Sequence, residues 1–251
     1  TLPSDGTLTV SGSGSSPTIL TYLPDLNFNG VDSFQIQVSD GVNADTLLVN
    51  LTVNTVNDAP YFDASEVTSV DEDASYSYNV TTSDVENDTV IVTGTTVPSW
   101  LTLLPDDGNN YILSGTPTND DVGLNAVQLD LSDGNGGVAT RNFNITVSNT
   151  NDSPQLNDRA VTIGELQTNN NSVTTITGTD IDVGDTLSYS FLSGNDSGVF
   201  AINASSGDVT NADASALDFE TTESYVLSVK ALDDGDSPSP LSDTANLTIT
   251  V

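Results

Sequence analysis

The sequence is poor in the residues that serve catalysis and covalent cross-linking. Its 251 residues include no cysteine, no histidine and no methionine, and only three are basic. Without cysteine there are no disulfides, so a different stabilising device is expected if the chain is extracellular. The usual zinc and copper ligands are missing too. Paired carboxylates are the remaining route to hydrolysis, but here they recur in step with a repeat, which is typical of metal sites. We therefore expect no enzyme.

Positive charge is nearly absent, with 36 acidic residues and a net charge of -33. This balance excludes nucleic acid and anionic membrane surfaces as partners. Such an acidic excess indicates either disorder or cation binding. Alternating apolar runs, such as 33–38 (SFQIQV) and 245–251 (ANLTITV), favour folded strands. No run is apolar enough to cross a membrane and no signal peptide is found. The sequence starts in mid-pattern, so we expect a piece of a longer chain.

An internal repeat organises the chain. The tract NDAP at 57–60 recurs as NDSP at 151–154, 94 residues later, and each tract follows an alternating strand. An Asp beside a Gly also recurs after a strand, at 39–41 (SDG), 132–134 (SDG) and 233–235 (DDG). The period of about 93 to 100 residues suits a seven-strand antiparallel sandwich. Only 35% of the residues are apolar, which is enough to fill several thin cores but too little for one large core.

These markers predict an all-β chain of tandem antiparallel β-sandwiches in a linear array. Repeat 1 covers residues 1–57, which is too short for a whole sandwich, so its opening strands are expected to be missing. Repeat 2 covers residues 58–151 and repeat 3 covers residues 152–251. Both linkers end in proline, which fixes φ and limits hinging. Helical periodicity is nearly absent, with at most one short turn at 213–217.

Acidic residues recur at matching places in the repeats. A single Asp or Asn in a β protein usually marks a turn, but turns do not require acidic-x-acidic pairs in step with Asn-Asp linkers. Two carboxylates about 5 Å apart repel by roughly 3 kcal/mol at an effective dielectric near 20. Many hard oxygen ligands without nitrogen or sulfur suit Ca²⁺, whereas Mg²⁺ prefers fewer carboxylates and more water. The pattern therefore predicts Ca²⁺ sites where one repeat meets the next.

The motifs resemble those of cadherin-like proteins. In repeat 3, DID at 180–182, LDFE at 217–220 and ALD at 231–233 resemble the DxD, LDxE and AxD motifs of a cadherin repeat. Repeat 2, with WL at 100–101 and GTP at 115–117, resembles a dystroglycan-type cadherin-like domain. Repeat 1, with YLP at 22–24 and NFNG at 27–30, is similar to the tandem repeats of large bacterial RTX-type surface adhesins exported by type I secretion. Ig-like or cadherin-like sandwiches are the implied fold.

The resemblance implies two Ca²⁺-binding junctions and part of a third. Between repeats 1 and 2 the implied ligands are Asn57, Asp58, Asp84, Glu86 and Asp133, with Asn27, Asn29 or Asp32 from repeat 1. Between repeats 2 and 3 they are Asn151, Asp152, Asp180, Asp182 and Asp233, with Glu72 and Asn119, Asp120 or Asp121 from repeat 2. Glu165, Asp218 and Glu220 would serve a third junction, which we expect to be incomplete without its linker.

The chain also departs from the animal cadherin pattern. Its linkers are one residue shorter than DxNDNxP, Glu86 replaces the second Asp of DxD, and repeat 1 has Asn where LDxE has acids. The last difference predicts a weaker site at repeat 1. We expect two or three ions between repeats 2 and 3.

The implied function is a Ca²⁺-rigidified extender of a bacterial cell-surface adhesin. Such a segment is extracellular, contacts the adjoining repeats of its own chain, and is expected to be monomeric. Two alternatives stay open at this point. Repeat 2 could be a module that binds a surface glycan or a protein, or the chain could mediate homophilic adhesion as animal cadherins do.

Overall fold

The computed structural model describes residues 1–12, 19–235 and 239–251, and these form strands joined by turns. Two 3₁₀ turns interrupt the strands, Asn119–Asp121 and Ala214–Ala216. The second confirms the short turn predicted at 213–217, where Asp213 accepts a hydrogen bond from the Ser215 amide. The first was not foreseen. Among the described residues, no helix is long and apolar enough to cross a membrane.

Repeat 1 consists of two separate β-hairpins. Its strands are β1 (Gly6–Ser11), β2 (Ile19–Pro24), β3 (Gly30–Ser39) and β4 (Ala44–Val53). Strand β1 pairs with β2 and β3 pairs with β4, both antiparallel, in two-stranded sheets. Phe34 is buried, but Leu23, Val31 and Leu47 are exposed. The described part of repeat 1 therefore has strands without a closed core.

A buried carboxylate fastens the start of repeat 1. Asp32 accepts hydrogen bonds from the amides of Ser4 (3.1 Å), Asp5 (3.1 Å) and Ser33 (2.7 Å), and from the Tyr22 hydroxyl (2.9 Å). Burial acts to raise the pKa of Asp32, but these hydrogen bonds outweigh it and lower the pKa to about 2. Burial and the bond to Asp32 raise the pKa of Tyr22 to about 12. Asp32 thus joins three segments of repeat 1.

Repeat 2 is a sandwich of a four-stranded and a three-stranded sheet, with a small extra pair. Its strands are β5 (Tyr61–Phe62), β6 (Ser69–Asp71), β7 (Tyr76–Val80), β8 (Thr82–Ser83), β9 (Ile91–Thr96), β10 (Leu101–Pro105), β11 (Tyr111–Gly115), β12 (Gly123–Ser132) and β13 (Val138–Ser148). The sheets have the orders β6-β13-β12-β9 and β10-β11-β7, and β5 pairs with β8. Alternate residues of β7 and β12 point into the core between them.

Repeat 3 has the same four-plus-three arrangement. Its strands are β14 (Arg159–Thr162), β15 (Ser172–Thr175), β16 (Ser188–Ser193), β17 (Phe200–Ile202), β18 (Asp208–Asn211), β19 (Ser224–Leu232) and β20 (Ser242–Thr250). The sheets have the orders β14-β20-β19-β16 and β15-β18-β17. Each of the two sandwiches has its own hydrophobic core. The predicted all-β fold of tandem sandwiches is confirmed.

One pairing departs from the antiparallel pattern in both sandwiches. Strand β6 pairs in parallel with β13, and β14 pairs in parallel with β20. In each case the first strand of the main sheet lies beside the last strand of the repeat.

Arg141 of β13 adds a side-chain link to the beginning of repeat 2. Its Nε lies 2.9 Å from a Glu66 carboxylate oxygen, its guanidinium lies 4.3 Å from the Phe62 ring centroid, and Nη1 donates to the Tyr78 hydroxyl at 2.9 Å. The single tryptophan also has a structural role. Trp100 packs edge-on against Tyr76 and belongs to the core of repeat 2.

The Asp32 hydrogen bonds predict a pH-dependent stability of repeat 1. The folded pKa of about 2 lies below the ordinary Asp value of about 3.9. The stabilisation is therefore complete above about pH 4 and is lost as the pH falls through about 2. We expect Asp32→Asn to lower the hydrogen-exchange protection of the Ser4 and Asp5 amides at pH 6, and the difference from wild type to shrink towards pH 2.

Asp45→Asn is the matched control, because Asp45 is exposed on β4 and accepts a hydrogen bond only from the adjacent Thr46 amide in the described contacts. Equal protection of the Ser4 and Asp5 amides in the two variants at pH 6 would contradict a fastening role for Asp32.

Candidate metal centres at the repeat junctions

The junction between repeats 2 and 3 gathers carboxylates from both repeats. Glu72 directly follows β6 of repeat 2, Asp152 lies in the linker, and Asp182 lies in the loop between β15 and β16 of repeat 3. Each offers a carboxylate oxygen, and the three oxygens lie within 4.8 Å of one another. Glu72 and Asp182 are buried. Two sandwiches and their linker thus contribute to a single acidic group.

A second acidic group lies beside the first and shares Asp182. Asp180, Asp182 and Asp185 each offer an oxygen within 4.8 Å of the others. The Asp182 amide donates to Asp180 Oδ1 at 3.1 Å, and Gly184 turns the loop with a φ of +112°. This turn brings Asp185 back towards the pair. Asp185 was not among the ligands predicted from the sequence.

Asp182 is held in place by repeat 2 and by the linker. Its Oδ1 accepts hydrogen bonds from the side-chain amides of Asn119 at 3.2 Å and Asn149 at 2.9 Å. Its Oδ2 accepts from the Asp152 backbone amide at 2.6 Å. A side chain of repeat 3 therefore depends on three donors that lie outside the sandwich of repeat 3.

The linker between repeats 2 and 3 is bonded on both sides. The Thr150 amide donates to Glu72 Oε1 at 2.5 Å, and Asn151 Nδ2 donates to Asp233 Oδ2 at 3.3 Å. Asn151 lies so close to the hairpin after β19 that a Cβ on Gly235 would be 1.6 Å from Asn151 Oδ1. Glycine at 235 is thus a requirement of this close approach.

Several oxygens at this junction are buried without a hydrogen bond. They are Glu72 Oε2, Asn151 Oδ1, Asp180 Oδ2 and Asp185 Oδ2. A buried oxygen without a donor is costly, and a buried charge more so. Because all four are hard oxygen acceptors, the residues present fit a calcium ion, which takes six to eight oxygens.

The pKa values at this junction reflect the same crowding. Burial raises the pKa of Glu72 against the hydrogen bond from Thr150, and the charges of Asp152 and Asp182 add to the rise. Burial and the nearby Asp182 charge also raise the pKa of Asp152. The pKa of Asp185 is raised as well, first by burial and then by the charges of its acidic neighbours. The carboxylates therefore disfavour one another's charge in the absence of a cation.

The three residues of the 119–121 segment, which were predicted as alternative ligands, have different roles. Asn119 lines a cleft of about 490 Å³ together with Asp152 and Asp180. Asp121 instead caps its own 3₁₀ turn, because its Oδ2 accepts from the amide and the hydroxyl of Thr118. Asp120 is exposed and joins none of the acidic groups found in the described residues.

The junction between repeats 1 and 2 repeats the linker contacts of the other junction. Asn57 Nδ2 donates to Asp133 Oδ2 at 2.8 Å, and the Asp58 amide donates to Glu86 Oε2 at 3.1 Å. The bond from Asn57 is the main cause of a lowered pKa for Asp133. Gly137 leaves room for the linker, since a Cβ there would lie 2.8 Å from the Asp58 carbonyl oxygen.

Repeat 1 contributes two predicted amide side chains and the carboxylate of Asp25, which was not predicted, to the cleft at this junction. Asn27 and Asn29 line a cleft of about 320 Å³ with Asp58 and Glu86. Asp32 does not line this cleft, because it is bonded inside repeat 1 as described above. Of the three side chains predicted from repeat 1, the structure brings two to the junction.

The loop after β8 supplies the acids at this junction. Asp84, Glu86 and Asp88 each offer an oxygen within 4.8 Å of the others. Asp84 and Glu86 were predicted ligands, and Asp88 was not.

The residues predicted for a third junction also lie together. Glu165, Asp218 and Glu220 offer oxygens within 4.8 Å of one another, and all three are exposed. The Phe219 amide donates to Glu165 Oε2 at 3.3 Å. The separated LDFE and Glu165 motifs are therefore adjacent in space.

Three family models match consecutive parts of the chain. Residues 1–52 match a bacterial Ig domain, residues 55–148 a putative Ig domain, and residues 159–251 a cadherin domain. The matched residues follow the order of the three repeats.

Among curated proteins, the similarity is to parts of very long chains. Protocadherin Fat 4 of Mus musculus is 37% identical over 92 residues, which are 36% of this chain and 2% of that protein. The protocadherin-like wing polarity protein stan of Drosophila melanogaster is 35% identical over 123 residues, which are 46% of this chain and 3% of that protein. The chain spans only a few per cent of the length of these relatives.

Solved structures of cadherin repeats share the fold. Protocadherin Gamma B2 extracellular cadherin domains 1-5 align with a TM-score of 0.70 and 19% identity, covering 98% of this chain and 52% of that chain. Human Protocadherin-24 EC1-2 aligns with a TM-score of 0.56 and 21% identity, covering 78% and 98%. Together with the family matches, this likeness confirms that the chain is built of cadherin-like and Ig-like β-sandwich repeats.

Proposed function

We propose that the chain is a Ca²⁺-rigidified extender segment of an extracellular adhesin, with repeats at 1–57, 58–151 and 152–251. Ions held at the junctions would join one sandwich to the next and stiffen the row. The stiff row would carry a binding domain of the same adhesin away from the cell surface. We infer a bacterial cell surface and type I secretion from the bacterial Ig domain match at residues 1–52, the lack of cysteine and the acidic composition.

The observation that carries the proposal is the Glu72, Asp152 and Asp182 group. Its oxygens lie within 4.8 Å of one another, and Glu72 Oε2 is buried without a hydrogen bond. At that distance each pair of charges repels by about 3 kcal/mol at an effective dielectric near 20. Because the three residues come from two sandwiches and the linker, the repulsion acts to separate the repeats.

A bound Ca²⁺ supplies two positive charges at this place. Glu72, Asp152 and Asp182 would hold it across the junction, while Asp180 and Asp185 extend the acidic surface on repeat 3. Extracellular modules bind Ca²⁺ with dissociation constants of about 10⁻⁴ to 10⁻³ M, so such sites fill only in calcium-rich surroundings.

Homophilic adhesion is a second candidate. It is favoured by the likeness to a solved protocadherin gammaB7 EC3-6 cis-dimer, with a TM-score of 0.61 and 19% identity over 98% of this chain. Sedimentation in Ca²⁺ separates the two candidates, since a monomer supports the extender and a dimer supports adhesion between copies. The glycan-binding alternative gains nothing from Trp100, whose ring packs against Tyr76.

Calcium should stabilise the chain, and Asp182 should be needed for much of the effect. An ion at 100 times its dissociation constant adds about 2.7 kcal/mol, which corresponds to a rise in Tm on the order of 10 °C for a module of this size. We expect such a rise between EDTA and saturating Ca²⁺, a smaller one with Mg²⁺, and the loss of much of the rise in Asp182→Ala. Thermal melts measure it.

Asp107→Asn is the control for this experiment, because Asp107 is an exposed turn residue of repeat 2. Identical melts of the wild-type chain in EDTA and in millimolar Ca²⁺ would mean that the junction acids are solvated surface, and the extender would have to be abandoned.

Gly235→Ala tests the close approach of the linker to repeat 3. Its Cβ would be 1.6 Å from Asn151 Oδ1, so the linker must move away from Asp233. Overpacking of this kind costs about 1 to 3 kcal/mol. We expect a lower Tm and a higher Ca²⁺ concentration at the midpoint of the stabilisation.

Gly164→Ala is the matched glycine control in the same repeat, since the nearest atom to its Cβ would be Gln167 Nε2 at 3.8 Å. If both alanine variants titrate alike, the contact between Asn151 and the hairpin does not govern Ca²⁺ binding.

A further inference from the structure

The outer face of the four-stranded sheet of repeat 2 carries a shallow groove. Its volume is about 320 Å³, at the lower end of the range of roughly 300 to 1,000 Å³ that is usual for small-molecule sites. Strands β9, β12 and β13 line it, and the groove includes none of the junction acids. None of its lining residues is charged, which sets it apart in a chain with 36 acidic residues.

Three amide side chains surround a small residue in this groove. Gln128 lies opposite Asn142, and Ala126 lies opposite Asn144. The strand residues between them belong to the core of repeat 2, so these four side chains share the outer face. Asn142 and Asn144 are exposed and, in the described part of the chain, neither side chain bonds to another protein group. Their donors and acceptors are therefore free for a ligand.

A β-bulge adds a hydroxyl group on the β9 side of the groove. The register of β9 against β12 shifts between Gln128 and Leu129, and Thr96 lies opposite Gln128. The residue before it, Thr95, also faces outwards, because its hydroxyl donates to Asp130. A bulge changes the direction of a side chain in this way, and Thr96 accordingly lines the groove next to the amides.

A fixed carboxylate lies beside the groove. Asp130 accepts hydrogen bonds from the Thr140 hydroxyl at 2.6 Å and from Gln128 Nε2 at 3.2 Å. The bonds from Thr140 and Thr95 lower the pKa of Asp130, so this carboxylate carries its charge at neutral pH. It holds the Gln128 amide in place and repels any anion that approaches the groove.

A larger side chain occupies the matching place in repeat 3. Ala126 lies seven residues before Asp133, and Val226 lies seven residues before Asp233. Val226 is 56% exposed, so its methyl groups stand on the outer face where repeat 2 has the floor of the groove. The next outward residue of that strand is Ser228 and not an amide. Repeat 3 thus supplies a natural substitution that would close the groove of repeat 2.

We infer that this groove binds a neutral glycan chain, with one sugar ring lying over Ala126. The amides and the Thr96 hydroxyl offer donors and acceptors side by side, and the neighbouring hydroxyl groups of a sugar need both. An anionic sugar would be repelled by Asp130 and would meet no basic residue in the lining. The inference goes beyond the proposed function, because an extender needs no ligand, and the groove is independent of the junction acids.

The test is affinity electrophoresis of the full chain in gels that contain dextran, galactan or mannan, with polygalacturonate as the anionic counterpart. We expect at least one of the three neutral polysaccharides to retard the chain, and polygalacturonate not to. Ala126→Val should weaken the retardation about tenfold, since it denies the ring its place and its hydrogen bonds. Retardation by none of the neutral polysaccharides, or by polygalacturonate alone, would overturn the inference.

Thr244→Val is the matched control, because Thr244 is exposed on the outer face of repeat 3 and the change adds the same side chain to the other sandwich without altering the charge. It should be retarded like the wild-type chain. Asn142→Ala is the second variant in case Ala126→Val does not fold, as judged by circular dichroism, and it should also weaken the retardation. If the folded groove variants are retarded as strongly as Thr244→Val, any glycan binds elsewhere and the groove is not the site.

Discussion

Carboxylates lie within 4.8 Å of one another at the ends of the sandwiches and repel one another. The other contacts at the junctions offset part of this repulsion. The chain has three basic residues against 36 acidic ones, so its own side chains cannot provide the balance. The linker contributes instead through backbone and side-chain amides, as when the Asp152 amide meets Asp182. Oxygens such as Glu72 Oε2 are still left without a donor, which is why the proposed function depends on a cation.

The sequence predicted the fold because strand alternation and the recurring linker are local signals repeated along the chain. It also indicated residues that prove to be neighbours, such as Glu165 and Asp218, because their motifs resemble those of a cadherin repeat. It did not indicate Asp88 or Asp185. Their approach depends on loop turns, made by Asn87 and Gly184 at positive φ, and a turn of this kind leaves no periodic pattern. Asp32 was predicted as a ligand from the resemblance alone, and the prediction was wrong for the cleft between repeats 1 and 2. A motif does not reveal that the amides of Ser4 and Asp5 already bond to Asp32.

The two linkers make the same contacts with the repeat that follows them and different contacts with the repeat that precedes them. Asn57 and Asn151 each donate to the Asp at the end of a long strand. Below the linker, however, repeat 2 offers the buried Glu72, whereas repeat 1 offers Asn27, Asn29 and the exposed Asp25. The two junctions therefore share the contacts above the linker and differ in the side chains below it.

The parallel pairing of the first and last strands determines how each sandwich bears tension. Because β6 and β13 run in the same direction, the start of β6 and the end of β13 lie at opposite ends of repeat 2. A pull on the two linkers therefore slides these strands past each other and loads their hydrogen bonds together in shear, instead of opening them one at a time. Strands β14 and β20 of repeat 3 are loaded in the same way. In repeat 2 the ion pair between Arg141 of β13 and Glu66, which precedes β6, resists the same displacement.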